Sequence, residues 1–305
     1  MILLKKAAFS FLILLAFASC DRVPYNEVYE NPLPVIPVDT SAGIDSNYLA
    51  VNSFAQKILI EDYTGHTCGN CPFAAKEALR LESVYPGKVV VMAVHCSFFA
   101  DPKTNPNGQF NMDFRTSIGT ALDGKFNVSP AGLPKGLVNR RRFGNSTLSI
   151  LSHTEWEAKL NTVLSEVSPG IGLTINPKYN AANNSVTVYT SVSAQKIYNG
   201  QLKMTAYLIE DSIVAWQKFY PTPNTTENIE KYVHRHVLRT ELSPTKGSNF
   251  VSTASAITAG ENFKSTWQAL IPASVKTGHA KVIMVVYRAD TDEIVQVEEA
   301  ELIKK

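Results

Sequence analysis

The seven residues His66-Thr67-Cys68-Gly69-Asn70-Cys71-Pro72, HTCGNCP, decide how the rest of the chain is read. Two thiols stand two residues apart. Such a pair serves as a redox couple, as half of a metal site, or as two ordinary buried cysteines. The flanks weigh these uses. Before the pair, "QKILIEDYT" reads as a short apolar strand. After it, "CPFAAKEALRLESVY" carries Ala74, Ala75, Ala78, Leu79 and Leu81 as one stripe at helical spacing. "GKVVVMAVH" is then a continuous apolar run of the kind found in parallel sheets. A Cys-X-X-Cys inside a strand–helix–strand unit is a redox signature. Cys68 is expected at the amino end of the helix, where unpaired N–H groups and the helix dipole favour a thiolate. Cys71, one turn further in, is the expected resolving thiol.

This order resembles the thioredoxin fold. "VSPAGLPKGLVNR" strengthens the likeness, because Pro134 follows Gly132-Leu133 and precedes a strand. In thioredoxin-like proteins a cis-proline at this point faces the cysteine pair, so the resemblance implies that Pro134 shapes a substrate groove. Asp62 lies six residues before Cys68, as the buried acid of thioredoxin does. Glu61 is adjacent and points to the other strand face. Either is a candidate to relay protons to Cys71, against the plainer reading of a solvated acidic pair. The sequence departs from the family in two places: Thr67 replaces the usual Trp, and Gly69-Asn70 lacks the common proline.

The chain has 305 residues and opens "MILLKKAAFSFLILLAFASC". Lys5 and Lys6 precede an apolar run too short for a bilayer, which needs about 20 residues. It fits a secretory signal over residues 1–19. Phe17-Ala18-Ser19-Cys20 resembles the lipobox of bacterial lipoproteins, which makes Cys20 the expected lipidation site and membrane anchor. Cleavage would remove two lysines and no acid from 29 basic and 27 acidic residues, leaving a formally neutral chain. Without a basic patch, nucleic acid is an unpromising partner. Pro24, Pro32, Pro34 and Pro37 mark residues 20–50 as a lipidated, proline-rich tether.

Residues 51–168 form the expected thioredoxin-like domain. It includes a helix around Phe110–Leu122, strands in "PKGLVNR" and "STLSI" joined at Phe143-Gly144, and a Ser152-capped helix. That helix buries Trp156, Leu160, Val163 and Val167. From about Gly170 the chain turns to β-rich runs. Phe263, Ser265, Trp267, Ala269 and Ile271 share one strand face. Residues 169–305 are expected as an antiparallel β-sandwich, Ig-like, with a barrel as the alternative.

Several residues stay outside this scheme. Cys96 reads as a small buried hydrophobe or a third thiol on the edge bearing Cys68. Zinc held by Cys68, Cys71, His66 and His95 or Cys96 is the metal alternative, weakly supported by one Cys-X-X-Cys. His234 and His236 fall on one strand face, by default a solvated or hydrogen-bonded one. Arg140-Arg141-Arg142 is expected on a hairpin turn. No Ser-His-Asp arrangement, phosphate loop or nucleotide fingerprint is present, and no dissociable cofactor or metal is expected.

The lipobox, "EDYTGHTCGNCP", "GLPKGLVNR" and "YVHRHVLR" together resemble the twenty-eight-kilodalton outer-membrane-protein family of bacterial lipoproteins. The resemblance implies an envelope protein at the outer membrane, on its periplasmic or surface face, with envelope or surface proteins as partners. The expected function is thiol–disulfide exchange with Cys68 as nucleophile and Cys71 as resolving thiol. The alternative is a non-catalytic surface binding protein, an adhesin or an accessory subunit of an outer-membrane complex, with a structural Cys68–Cys71 disulfide.

Overall fold

Strand β1, Ile58–Thr64, is buried along its whole length in the computed structural model. The structure describes residues 47–144, 147–245, 250–252 and 254–304, which lie in one compact unit. The signal segment, Cys20 and the tether as far as residue 46 lie outside the described residues. Helix α1 (Cys71–Val84) follows β1, and β2 (Val89–His95) returns parallel to it, Ile58 opposite Val89 and Thr64 opposite His95. After α2 (Ser117–Phe126), β3 (Lys135–Val138) pairs antiparallel with the other edge of β1. Helix α3 (Trp156–Ser165) closes this half.

Because side chains alternate along a strand, β1 and β2 feed two different cores. Ile58, Ile60, Val89 and Val91 pack with Ala74, Ala78 and Leu81 of α1 and with Trp156, Leu160 and Val163 of α3. Leu59, Tyr63, Val90, Met92 and Val94 face the other way, onto Ile118, Leu122 and Phe126 of α2.

The remaining strands are β4 (Ile171–Asn180), β5 (Ser185–Ala194), β6 (Tyr198–Asn199), β7 (Leu202–Glu210), β8 (Ile213–Phe219), β9 (Glu227–His234), β10 (Val237–Pro244), β11 (Ala256–Ile257), β12 (Asn262–Leu270), β13 (Ala280–Arg288), β14 (Ile294–Glu301) and β15 (Ile303–Lys304). Their hydrogen-bonded order is β14-β13-β7-β10-β12-β5-β4-β15, while β8 and β9 form a separate ribbon and β6 pairs with β11. Strand β10 pairs with β7 through Val237–Leu242, then with β12 at Ser243 and Pro244. Its Val237 also lies beside Ala93 of β2, whose N–H donates to the His236 carbonyl at 2.8 Å. The halves expected on either side of Ser168-Pro169-Gly170 thus share a sheet. They also share a core: Tyr207, Ile209, Ile283 and Val285 join the α2 cluster, while the opposite faces of β7 and β13 pack on β4, β5 and β12. The whole is a mixed α/β fold dominated by strands.

Several expectations need correction. The tether's last residues are docked: Asn176 donates to the Asn47 carbonyl at 2.7 Å, and Tyr48 bonds Thr266 at 2.7 Å. The helix expected around Phe110–Leu122 starts later, at Ser117, capped by the Thr116 hydroxyl. Residues 147–150, the described part of "STLSI", form no strand; the neighbouring Leu151 makes an isolated bridge to Gly136. The Ser152 capping box is present, and Trp156, Leu160 and Val163 are buried, but Val167 lies beyond the helix and is 86% exposed.

The arginine cluster differs most. Arg140 is not on a solvated turn. Left-handed backbone at Asn139 (φ 47°) and Arg140 (φ 50°) turns the guanidinium inward. It is 2% exposed and donates to both Glu61 oxygens, at 2.9 and 2.6 Å, over the Phe126 ring. Two parallel N–H···O bonds offset part of the desolvation cost, and removing one partner leaves a buried charge. Glu61→Leu or Arg140→Met alone should therefore cost about 3–5 kcal/mol in urea unfolding. The double variant should recover most of that loss; simple addition of the two losses would contradict this account.

Candidate functional site

The loop after β1 positions the cysteines. Cys68 N–H donates to the Gly65 carbonyl at 3.0 Å, and Cys71 N–H to the Cys68 carbonyl at 3.3 Å. Thr67 is held by the Phe99 carbonyl through both its N–H and its hydroxyl, and a Cβ on Gly65 would collide with the Phe99 backbone. Helix α1 begins at Cys71, with Pro72 in its first turn, where a missing N–H costs nothing. Cys68 therefore precedes the helix rather than opening it. The two sulfurs form a disulfide. Both cysteines are 2% exposed, so neither is the more accessible.

Strand alternation separates the two acids. Glu61 faces α2 and is committed to Arg140, which removes it from the cysteine pair. Asp62 points to the α1 side, 2% exposed, and lines a cavity of about 40 Å³ with Cys71, His95, Gln217, Tyr232 and His234. That volume admits water, which needs about 10–15 Å³. Asp62 Oδ1 has no hydrogen-bond partner, and burial pushes its carboxyl up to about 7. The Leu133–Pro134 bond is cis. Pro134 precedes Lys135, the partner of Tyr63, so it stands at the sheet edge where β1 runs into the cysteine loop. Cys96 lies on the opposite face of β2, among Val94, Ile118 and Leu122, and burial pushes its thiol up. It behaves as a core residue.

Three histidines collect around Phe114. Its ring lies 4.5 Å from His95, 4.5 Å from His234 and 5.3 Å from His66. All three are buried. Burial lowers His66 to about 4 and His234 to about 3; burial, then His234 and His66, hold His95 well below its usual value. His234 ends β9, whereas His236 lies outside both strands, in left-handed backbone (φ 54°) between β9 and β10. His236 instead reaches Glu82 at 3.3 Å. Among the described residues, no group of three or more His, Cys, Asp and Glu is arranged to hold a metal.

The second half of the chain covers the pair. Lys218 N–H donates to the His66 carbonyl at 2.8 Å, and Tyr220 N–H to the Gly69 carbonyl at 2.9 Å. The buried Gln217 amide donates to the Cys68 carbonyl at 2.9 Å. The Phe219 ring lies 5.3 Å from Phe73, and a Cβ on Gly69 would run into the Tyr220 ring. Sequence reasoning missed Gln217, Tyr220 and Phe114; only the aromatic run Trp216–Tyr220 beside Pro221 and Pro223 hinted at a special segment.

The outer membrane protein Omp28 family model matches residues 120–305, more than half of the chain. The chain belongs to the Omp28 family. Membership places the protein at the outer membrane of the cell envelope, in agreement with the sequence resemblance. The matched residues begin within α2 and do not include Cys68 or Cys71. Among solved structures, HBP35 of Porphyromonas gingivalis is similar at 16% identity and TM-score 0.55, over 82% of this chain and 76% of that one. A protein from Agrobacterium tumefaciens gives 15% and 0.47, over 81% and 95%. A domain of the outer membrane lipoprotein Omp28 from Porphyromonas gingivalis gives 14% and 0.29, over 46% and 93%. The first is a likeness of fold alone; the other two superpositions carry no argument. No curated protein matches. Among the described residues no helix is long and apolar enough to cross a membrane.

The buried groups make stability depend on pH. The unfolded histidines take up protons near pH 6.5, whereas native His66 and His234 do so only near 4 and 3. Their contribution is complete above pH 6.5 and is lost as pH falls toward 3. Asp62 works oppositely, its contribution greatest below 3.8 and lost as pH rises through about 7. Glu241, likewise raised to about 7 by burial, adds to the carboxyl side. The three histidines still outweigh the two carboxyls, and each net proton is worth about 1.4 kcal/mol per pH unit. Urea unfolding should show stability falling by roughly 1 kcal/mol per unit between pH 6 and 5. His234→Phe should flatten that slope; an unchanged slope would show that His234 does not titrate as described.

Proposed function

We propose that the protein is a lipid-anchored thiol–disulfide exchange protein of the cell envelope. In this reading Cys20 carries the lipid and residues 20–50 the tether. Residues 51–168 form a thioredoxin-like half that bears the Cys68–Cys71 pair, and residues 169–305 an Ig-like sandwich. The observation that carries the proposal is Asp62. A buried carboxyl without a partner on one oxygen weakens the fold, and this one shares a water-sized cavity with Cys71. A carboxyl raised to about 7 is poised to exchange protons near neutral pH. The parallel β1–α1–β2 unit, with Cys71 at the start of α1 and cis-Pro134 beside the loop, supports the thioredoxin likeness.

The chemistry runs as follows in the reducing direction. The Cys68 thiolate attacks one sulfur of a client disulfide, forms a mixed disulfide and releases a client thiolate. Asp62 takes the proton of the Cys71 thiol through cavity water. The Cys71 thiolate then attacks Cys68 sulfur, closes the Cys68–Cys71 bond and releases the second client thiolate. Two electrons pass from the pair to the client; the reverse sequence oxidises a dithiol. Pro134 borders the groove, and the clients are envelope or surface proteins.

The near-complete burial of both cysteines favours a second reading, a surface binding protein with a static disulfide. Insulin as a disulfide probe separates the two. Reduced Cys71→Ser should accumulate a mixed disulfide through Cys68, and Cys68→Ser should accumulate none. Asp62→Asn should slow closure of the pair by about a hundredfold at pH 7. Absence of any mixed disulfide, with Asp62→Asn silent, would leave the static disulfide as the better account.

A further inference from the structure

We infer that the β8–β9 ribbon is a displaceable internal occupant of the cysteine loop, holding with its own backbone the seat that an extended client segment takes. The inference rests on the exchange reading for the client and on geometry alone for the cover. The ribbon pairs with no strand of the large sheet. Its grip on the loop is that of an extended peptide: Lys218 and Tyr220, two residues apart, donate to the carbonyls of His66 and Gly69, and Gln217 takes the Cys68 carbonyl between them. These carbonyls flank the disulfide and accept from any extended backbone, which is the chemistry of strand addition. Pro221 and Pro223 offer no N–H, so the pairing ends at Tyr220. The outer strand, β9, is largely exposed before its last residue, His234, which is buried.

The stems are built to move as a unit. Ser212 (φ 59°) precedes β8 and His236 (φ 54°) follows β9, both left-handed non-glycine residues, a conformation that costs about 1 kcal/mol or more. The Asp211 carboxylate accepts the His236 N–H at 2.9 Å and pins the two stems together. The base rests on a small separate cluster of Phe114, Ile213 and Val237 rather than on the main cores. Toward the tip, the side chains that meet the loop alongside the hydrogen bonds from Gln217, Lys218 and Tyr220 include Phe219 on Phe73 and Tyr220 over Gly69. Beside them Asn70, Phe73 and residues 220–226 line an open cavity of about 620 Å³. A swing of the ribbon from its base would part His234 from Phe114 and His95 and open the cavity beside Asp62.

Dithiothreitol reduction of the native disulfide reads cover opening directly. Tyr220→Ala and Gln217→Ala in the full chain should each speed reduction at least tenfold. Val188→Ala, a comparable loss in the distant β-core, should leave the rate unchanged. In the wild type the rate should level off at high dithiothreitol, because opening becomes limiting. Added peptide with the sequence of residues 213–220 should slow reduction of Tyr220→Ala in a saturable way. Equal rates in wild type and Tyr220→Ala, equal acceleration by Val188→Ala, or no slowing by the peptide would each overturn the inference. Failure of the exchange reading looks different: Tyr220→Ala then opens the disulfide to dithiothreitol, yet reduced Tyr220→Ala/Cys71→Ser forms no mixed disulfide with insulin.

Discussion

Strand β1 is buried on both faces, and most of the site follows from that constraint. A strand with two buried faces and two acids in sequence must send Glu61 one way and Asp62 the other. Glu61 finds Arg140 and is neutralised in a bidentate pair. Asp62 finds no cation and keeps its proton to about pH 7. A one-residue slip of β1 would exchange the two environments, which puts Asp62 against Arg140 and the paired acid beside Cys71. The β2 register on one side and the β3 register on the other exclude that slip, and Asn139 reinforces them by accepting the Leu59 N–H at 2.7 Å.

Much of this half was legible in the sequence, because its signals are local. The apolar run of β2, the buried Ala74, Ala78 and Leu81 of the α1 stripe (Leu79, expected with them, is exposed) and the Ser152 capping box each sit within a few residues of the structure they specify. The parity of Glu61 and Asp62 was also legible, and so was the β-rich character after Gly170. What the sequence did not reveal depends on contacts far apart in the chain. Gln217 reaches a carbonyl 149 residues earlier. The turn that buries Arg140 rests on left-handed backbone at two non-glycine residues, for which Asn139 alone gives a faint hint. His234 and His236 read as one strand face until His236 takes positive φ. The pairing of β2 with β10 is a single register position, Ala93 beside Val237, and leaves no periodicity to read.

The site combines features that oppose each other. The unpartnered Oδ1 of Asp62, the three buried histidines and the left-handed stems of the ribbon all weaken the fold locally. The burial of the disulfide under Gln217 and Tyr220 protects it. A purely structural cross-link has no need of the raised carboxyl, and an unprotected exchange centre has no need of the cover. Both are accounted for if exchange occurs only when a partner strand replaces the ribbon, which restricts the chemistry to segments able to make the same backbone bonds. The Omp28 match begins at residue 120, so Cys68 and Cys71 lie outside the part of the chain by which membership is shown.

The reduction potential of the Cys68–Cys71 pair tests the central claim most directly. Equilibrium against defined thiol–disulfide buffers, read by mass after acid quench and alkylation, measures it on the intact chain. The account predicts a value in the range of known exchange proteins, roughly −120 to −270 mV, with a pH dependence altered by Asp62→Asn. A value below about −300 mV, unmoved by that substitution, would mark a static cross-link and contradict it.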